Sequence, residues 1–197
     1  MGLVSIVGLA TGAFVGTNID NGLVTTAQLA TAPPHRVRRI VAGQYTGFVI
    51  IVALAAAGAA VLVELPLWAV GLLGLVPIGL GLRGLVVLWR HRGRPAEHRD
   101  PIGGGYFSAA LITVGNGGDN LAVYIPLFRQ AGPGWAALAA VWMLVLDVGL
   151  CALAVLLGRH HRTLGLFERV GAWLTPAVYL VIGVVVLVRA GTVGHLT

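Results

Sequence analysis

The chain has 197 residues with 13 basic and 7 acidic side chains, so 10% are charged, against roughly 25% in an ordinary soluble domain. Hydrophobic residues make up 57%, glycine adds 29 positions and the mean hydropathy is +0.90. So few charges cannot give a folded domain a polar skin, and so apolar a chain does not stay unfolded in water, which excludes a soluble globular protein and a disordered chain alike. The net charge of +6 comes entirely from arginine, with no lysine, and the placement of those arginines explains it without a nucleic-acid partner. One cysteine, Cys151, excludes an internal disulfide and a Cys-rich zinc site. The sequence reads as an integral membrane protein.

A membrane helix needs about 20 mostly apolar residues. In chain order the stretches that meet this are 3–30, 40–63, 67–88, 106–128, 135–157 and 170–188, six in all. Turn signals or charge separate them: Pro33-Pro34, Pro66, the run 90–101, Gly132-Pro133-Gly134 and the run 159–162. Stretches such as 49–63 do not alternate apolar with polar residues as an outer-membrane strand would, so the expected fold is all-α. The start, Met1-Gly2-Leu3-Val4, has no basic region, so no cleavable signal peptide is expected, and Ile6 stands where myristoylation of Gly2 would want Ser or Thr.

Ten arginines, Arg36, Arg38, Arg39, Arg90, Arg92, Arg94, Arg99, Arg159, Arg162 and Arg169, fall in the first, third and fifth connections or flank them. Arg129 and Arg189 fall on the other side, and Arg83 lies near the end of the third span, where it can snorkel. The positive-inside rule places those three connections in the cytoplasm and both termini outside. His35, His91, His98, His160 and His161, near Glu97 and Asp100, belong to the same side; their irregular spacing reads as solvated loop. Glu64 reads as a solvated outer helix end.

The first and fourth spans share an unusual polar centre. Thr17-Asn18-Ile19-Asp20-Asn21-Gly22 in the first corresponds to Asn116-Gly117-Gly118-Asp119-Asn120 in the fourth, at an offset of 99 residues, about half the chain. Three spans per half is an odd number, so the halves insert with opposite topology, the inverted-repeat plan of many secondary transporters. The expected organisation is one transmembrane domain over 1–197: repeat one about 1–90, a cytoplasmic loop 91–101 and repeat two about 102–197.

An aspartate in the bilayer interior costs roughly 2.5–3.5 kcal/mol on insertion scales, and both Asp20 and Asp119 stand beside Asn and Gly. Helical spacing puts Asn116, Asp119 and Asn120 on one face and Thr17, Asp20 and Asn21 on another. Gly115, Gly117 and Gly118 make the fourth span easy to unwind, which frees backbone carbonyls. Carboxylates, amide oxygens and carbonyls together describe a cation site. A purely structural polar cluster fits asparagines but fits a carboxylate in each half poorly. A third acid, Asp147, lies mid-way through the fifth span with Met143 and Cys151 one turn either side. Those two sulfurs suit a soft cation or simply pack. In the second span Gln44 and Tyr45 either line the cavity or staple helices. Pro77 and Pro126 are expected to kink their spans, and the small residues 55–60 to allow close helix approach.

The stretches Thr17-Asn18-Ile19-Asp20, Gly43-Gln44-Tyr45-Thr46-Gly47-Phe48, Leu73-Gly74-Leu75-Val76-Pro77-Ile78 and Asn116-Gly117-Gly118-Asp119-Asn120, continued by Tyr124-Ile125-Pro126-Leu127-Phe128, resemble the cadmium resistance transporter (CadD-like) family of the lysine-exporter superfamily. The likeness runs in order through the first four spans; the last two resemble the family in hydropathy alone. It implies a multi-pass exporter of Cd²⁺ in the bacterial inner membrane with a six-span inverted repeat. One position departs: the family's first motif carries a second Asp where this chain has Asn21, one negative charge fewer at a divalent-cation site.

The expected function is secondary-active export of a divalent heavy-metal cation, Cd²⁺ or Zn²⁺, by proton antiport, with no enzymatic activity and no cofactor. Asp20 and Asp119 are the expected central ligands, assisted by Asn18, Asn21, Asn116 and Asn120, with Asp147 as a further acid. Thr17, Gln44, Tyr45, Met143 and Cys151 are candidates for the substrate path. The partners are membrane lipid and the cation, with no nucleic acid; a homodimer is compatible with the sequence. The rival reading is an exporter of an organic cation or amino acid, which would want aromatic walls or an Arg at depth; Tyr45 and Tyr124 are available, but no Arg is. A remoter one is an intramembrane aspartyl protease, which the chain fits badly: Asn116 replaces the first Gly of the Gly-x-Gly-Asp motif, and no Tyr-Asp motif is present.

Overall fold

The structure, a computed structural model, describes residues 2–90, 105–158 and 161–191, the side chains of 161–172 excepted. The third connection with His91, Glu97, His98 and Asp100, together with Arg159, His160 and the His161 side chain, lies outside the described residues. All regular structure among them is helical: α1 (Leu3–Thr31), α2 (Pro34–Val61) with a 3-10 turn Leu62–Glu64, α3 (Leu67–Gly71) running through a 3-10 turn Leu72–Gly74 into α4 (Leu75–Arg90), α5 (Tyr106–Gly115), α6 (Gly118–Ala131), α7 (Pro133–Gly158) and α8 (His161–Arg189).

Proline and glycine set the boundaries. Pro34 opens α2 at its first turn, where a missing N–H leaves no bond unmade. Between α6 and α7, Gly132 turns the chain at φ +82°, a conformation that a side chain would strain, and Pro133 then starts α7. Pro77 cannot donate to the Leu73 carbonyl, and the helix tightens into the 3-10 turn just before it. Pro126 sits inside α6, and Pro176 inside α8, a helix breaker that the hydropathy reading passed over.

Four helical segments are long and apolar enough to cross a membrane: Leu3–Thr31, Pro34–Glu64, Leu67–Arg90 and Pro133–Gly158; Tyr106–Gly115 and Trp173–Arg189 are shorter apolar helices. The expected span 106–128 is divided. Helix α5 stops at Gly115, Gly117 N–H turns back to the Val114 carbonyl at 3.0 Å, and α6 begins at Gly118. The last helix starts at His161, before the apolar stretch expected to begin at 170.

The helices pack through small residues with a consistent sense. Helix α1 runs parallel to α7: Trp142 Nε1 donates to Thr11 Oγ1 at 2.9 Å, Gly22 faces Leu150 and Gly158 faces Leu29. Helix α2 runs parallel to α5 and α6, with Gly43 against the Tyr106 carbonyl, Gly47 against Thr113 and Gly58 against Ile125. Helix α4 runs antiparallel to α8, with Gly74 against Gly183 and Gly84 against Pro176. Lipid supplies no hydrophobic drive to pair helices, so this close backbone approach, not apolar burial, holds the bundle.

Helix α7 shows how one sequence serves two solvents. Ala139, Met143, Asp147, Cys151, Ala154 and Gly158 are buried, while Val141, Val145, Val148 and Leu156 on the opposite stripe are exposed. An exposed valine face is what a lipid-facing helix requires. The core gathers Phe14, Phe48, Tyr124, Phe128 and Met143 among others. Arg129, unexplained by orientation rules, caps the end of α2: its guanidinium donates to the carbonyls of Leu62, Val63 and Leu65 at 2.9, 3.0 and 3.1 Å, the first of which also accepts the Leu65 N–H of the 3-10 turn.

A Cβ at Gly183 would meet the Gly74 carbonyl at 2.5 Å, whereas one at Gly149 would meet nothing within 4 Å. Gly183→Val is therefore expected to lower stability by about 1–3 kcal/mol, and Gly149→Ala to leave it unchanged or raise it by up to about 1 kcal/mol. Thermal melts of the detergent-solubilised protein measure both.

Candidate functional site

The centre of the bundle is a polar knot where α1 crosses α6. Thr17 Oγ1 lies 2.9 Å from Tyr124 Oη, Asn18 Nδ2 donates to Tyr124 Oη at 2.8 Å, and the same amide lies 3.1 Å from Asn120 Oδ1. Thr17, Asn18, Asn120 and Tyr124 are all buried. The tyrosine ring is clamped by a run of aromatics: Phe14 is edge-on to Phe48 at 5.4 Å, Phe48 edge-on to Tyr124 at 6.3 Å, and Tyr124 stacks on Phe128 at 6.1 Å. Apolar packing thus aims the hydroxyl, and the hydroxyl satisfies two side chains of α1. Asn18 Oδ1 has no hydrogen-bond partner among the described residues, and neither polar atom of Asn21 has one.

Beside this knot lies Asp119. The helix break at Asn116-Gly117 places it in the first turn of α6, where the helix dipole favours a negative charge. One of its oxygens accepts the Asn120 backbone N–H at 2.8 Å, and the other accepts the hydroxyl of Tyr179 from α8. Asp20 of α1 lies within electrostatic range of Asp119 and of Tyr179. Two like charges drawn together in a low-dielectric setting repel, and a cation between them removes the repulsion. Asp20 is exposed, and Asp119 half-buried.

Asp147 occupies a different setting, among α2, α5 and α7. It is fully buried, and Gln44 Nε2 donates to its Oδ1 at 3.4 Å. Thr113 of α5 donates in turn to Gln44 Oε1. The second carboxylate oxygen of Asp147 has no partner among the described residues. Leaving a buried polar atom unpaired costs about 1–3 kcal/mol, and more when it is charged.

The expected ligands therefore divide. Asn18 and Asn120 meet directly, Asp20 and Asp119 interact, and Asp147 joins Gln44 and Thr113 instead. The face expected to hold Thr17, Asp20 and Asn21 splits, with Thr17 and Asn21 turned inward and Asp20 outward. Asn116 is exposed at the helix break. Met143 is buried in the aromatic core, while Tyr45 and Cys151 line a cavity of about 530 Å³ between α2 and α7, with Arg38 also in its wall. A second cavity of about 300 Å³ lies near the Gly132 turn, walled by Ala56, Ala60 and Phe128. Neither is lined by a carboxylate. Among the described residues no three His, Cys, Asp or Glu side chains come together, so a cation held here takes its remaining ligands from amides, hydroxyls or carbonyls.

Two site residues escaped the sequence reading. Tyr179 and Thr113 sit in stretches otherwise almost wholly apolar, and a hydroxyl in such a stretch was the available signal. Nothing local, however, says which carboxylate or amide it meets.

No curated protein and no solved structure matches the chain. The cadmium resistance transporter family matches it over residues 14–197. That match spans both polar centres and the later helices, where hydropathy was the only likeness visible by eye, and the chain belongs to the cadmium resistance transporter family.

Proposed function

We propose that the protein exports a divalent heavy-metal cation, Cd²⁺ foremost, across a bacterial inner membrane in exchange for protons. The observation that carries this reading is the Asp20–Asp119 pair at a broken helix. Two carboxylates held within electrostatic range match a double positive charge. Asn120 adjoins Asp119, with its amide oxygen accepting from Asn18, and the two-residue break at Asn116-Gly117 puts further amide and backbone oxygens one turn before it. Oxygen ligands hold Cd²⁺ less tightly than thiolates would, which suits a carrier that must release its cargo.

The packing pattern supports a six-span inverted repeat. If the first, second and third spans correspond to the fourth, fifth and sixth, a two-fold relation turns the pair α1–α7 into the pair formed by α5 and α6 with α2, and turns α4–α8 into itself. Both pairings occur, each with the sense required: parallel for the first two and antiparallel for the last. With alternating crossings, the arginine-rich connections lie in the cytoplasm and both termini outside.

An organic amine as cargo is less well supported. Tyr124, an aromatic residue within electrostatic range of Asp119, has its ring packed against Phe48 and Phe128 and offers no open wall.

In liposomes holding the purified protein, a pH gradient is expected to drive Cd²⁺ movement, and Asp119→Asn to reduce the initial rate at least ten-fold with the melting temperature kept. An undiminished rate in Asp119→Asn overturns the site. A wild-type protein stabilised by amines and indifferent to Cd²⁺ and Zn²⁺ overturns the cargo.

A further inference from the structure

Among the described residues Asp147 is the one buried acid, and the Asp20–Asp119 metal reading does not use it. Asp147 is 0% exposed. Its hydrogen-bonded surroundings are neutral, the Gln44 amide and then the Thr113 hydroxyl, and one carboxylate oxygen faces no donor among the described residues. Unlike Asp119, which has Asp20 within range, it has no second carboxylate acting on it among the described residues.

The groups facing it from neighbouring helices bear this out. On α7 itself Cys151 lies one turn away, and on α6 Tyr124 is within electrostatic range; thiol and phenol are both neutral in their ordinary state. From α2 the neighbour is Gln44 and from α5 it is Thr113. Helix α1 contributes no buried acid or base, since its one acid, Asp20, is exposed. On α8, Tyr179 is engaged with Asp119. Arg38 of α2 shares a cavity wall with Cys151, but among the described residues only the Gln44 amide acts on the Asp147 carboxylate, and no arginine or histidine does.

Charge counting then decides the ligand. One carboxylate among neutral dipoles is balanced by one positive charge, whereas a divalent ion there would leave an excess positive charge buried, as unfavourable as the bare carboxylate. We propose that Asp147, with Gln44 and Thr113, forms a second cation site that takes a single monovalent cation, H⁺ or Na⁺, and that this is the coupling site of the exporter, separate from the Asp20–Asp119 pair. The free carboxylate oxygen is the primary contact; Gln44 orients the carboxylate, and Thr113 orients Gln44. Tyr124 lies within electrostatic range of Asp119 and of Asp147, and its hydroxyl is bonded into α1, so a change of charge at one site reaches the other through a shared, rigidly held dipole. This assignment rests on the export reading for its coupling role but not for its binding role.

The test uses the full chain in liposomes, with Cd²⁺ as the probe. Asp147→Asn is expected to keep Cd²⁺/Cd²⁺ exchange within about two-fold of wild type and to lose at least ten-fold in gradient-driven Cd²⁺ accumulation. Separate arms, a pH gradient without Na⁺ and a Na⁺ gradient at equal pH, identify the monovalent ion. Full gradient-driven accumulation in Asp147→Asn overturns the proposal. Loss of exchange along with accumulation overturns it too, because Asp147 then serves the metal. Thr113→Val keeps the carboxylate and guards against misfolding: it should raise the half-saturating concentration of the driving ion several-fold, and an unchanged value removes Gln44 and Thr113 from the site. If the wild type moves no Cd²⁺, the export reading fails by itself. The second site is then judged in metal-free detergent solution, where the wild-type melting temperature must respond to pH or Na⁺ in a way that Asp147→Asn does not; identical responses overturn it.

Discussion

A chain this apolar depends on its buried polar groups meeting one another, and the crossing of α1 with α6 is where four of them do so. Thr17 and Asn18 on one helix share the hydroxyl of Tyr124 on the other, and Asn18 also reaches Asn120. The aromatic run Phe14, Phe48, Tyr124, Phe128 holds the hydroxyl on target, so packing and hydrogen bonding over-determine one geometry. Asp119 immediately precedes Asn120, and its position follows from that crossing.

Around the knot, glycines set how near the helices come. Gly43 and Gly47 bring α2 against α5, and Gly74 and Gly183 bring α4 against α8. Backbones this close gain dispersion contacts that lipid tails cannot supply in the same density. The outward stripes, such as Val141, Val145 and Val148 on α7, remain free for lipid. The small-residue faces are thus the adhesive, and the aliphatic faces the solvent-exposed surface, an inversion of the soluble pattern.

The acids in the bundle differ in what surrounds them. Asp119 stands at a helix start with both oxygens engaged and a second acid in range, whereas Asp147 stands fully enclosed with an amide on one oxygen only. The chemistry open to each follows from that contrast: a pair suits a doubly charged ion, and a lone carboxylate a singly charged one. Met143 and Cys151, on the same helix as Asp147, lie in the core and at a cavity wall respectively.

Much of this was legible along the chain because hydropathy, helix-breaking residues and isolated intramembrane acids are local properties. The scarcity of charge declared a membrane protein, the Asp-Asn repeat at an offset of 99 residues marked both polar centres, and Gly115-Asn116-Gly117-Gly118 marked the break. Partnership was not legible. That Tyr179 meets Asp119, that Thr113 reaches Asp147 through Gln44, and that Arg129 caps α2 are contacts between residues 60 or more positions apart. Sequence by itself determined which residues are too polar to sit in lipid unaided. Only the tertiary structure decided which neighbour relieves each of them, because that depends on helix rotation and close approach, and neither is written in any single helix.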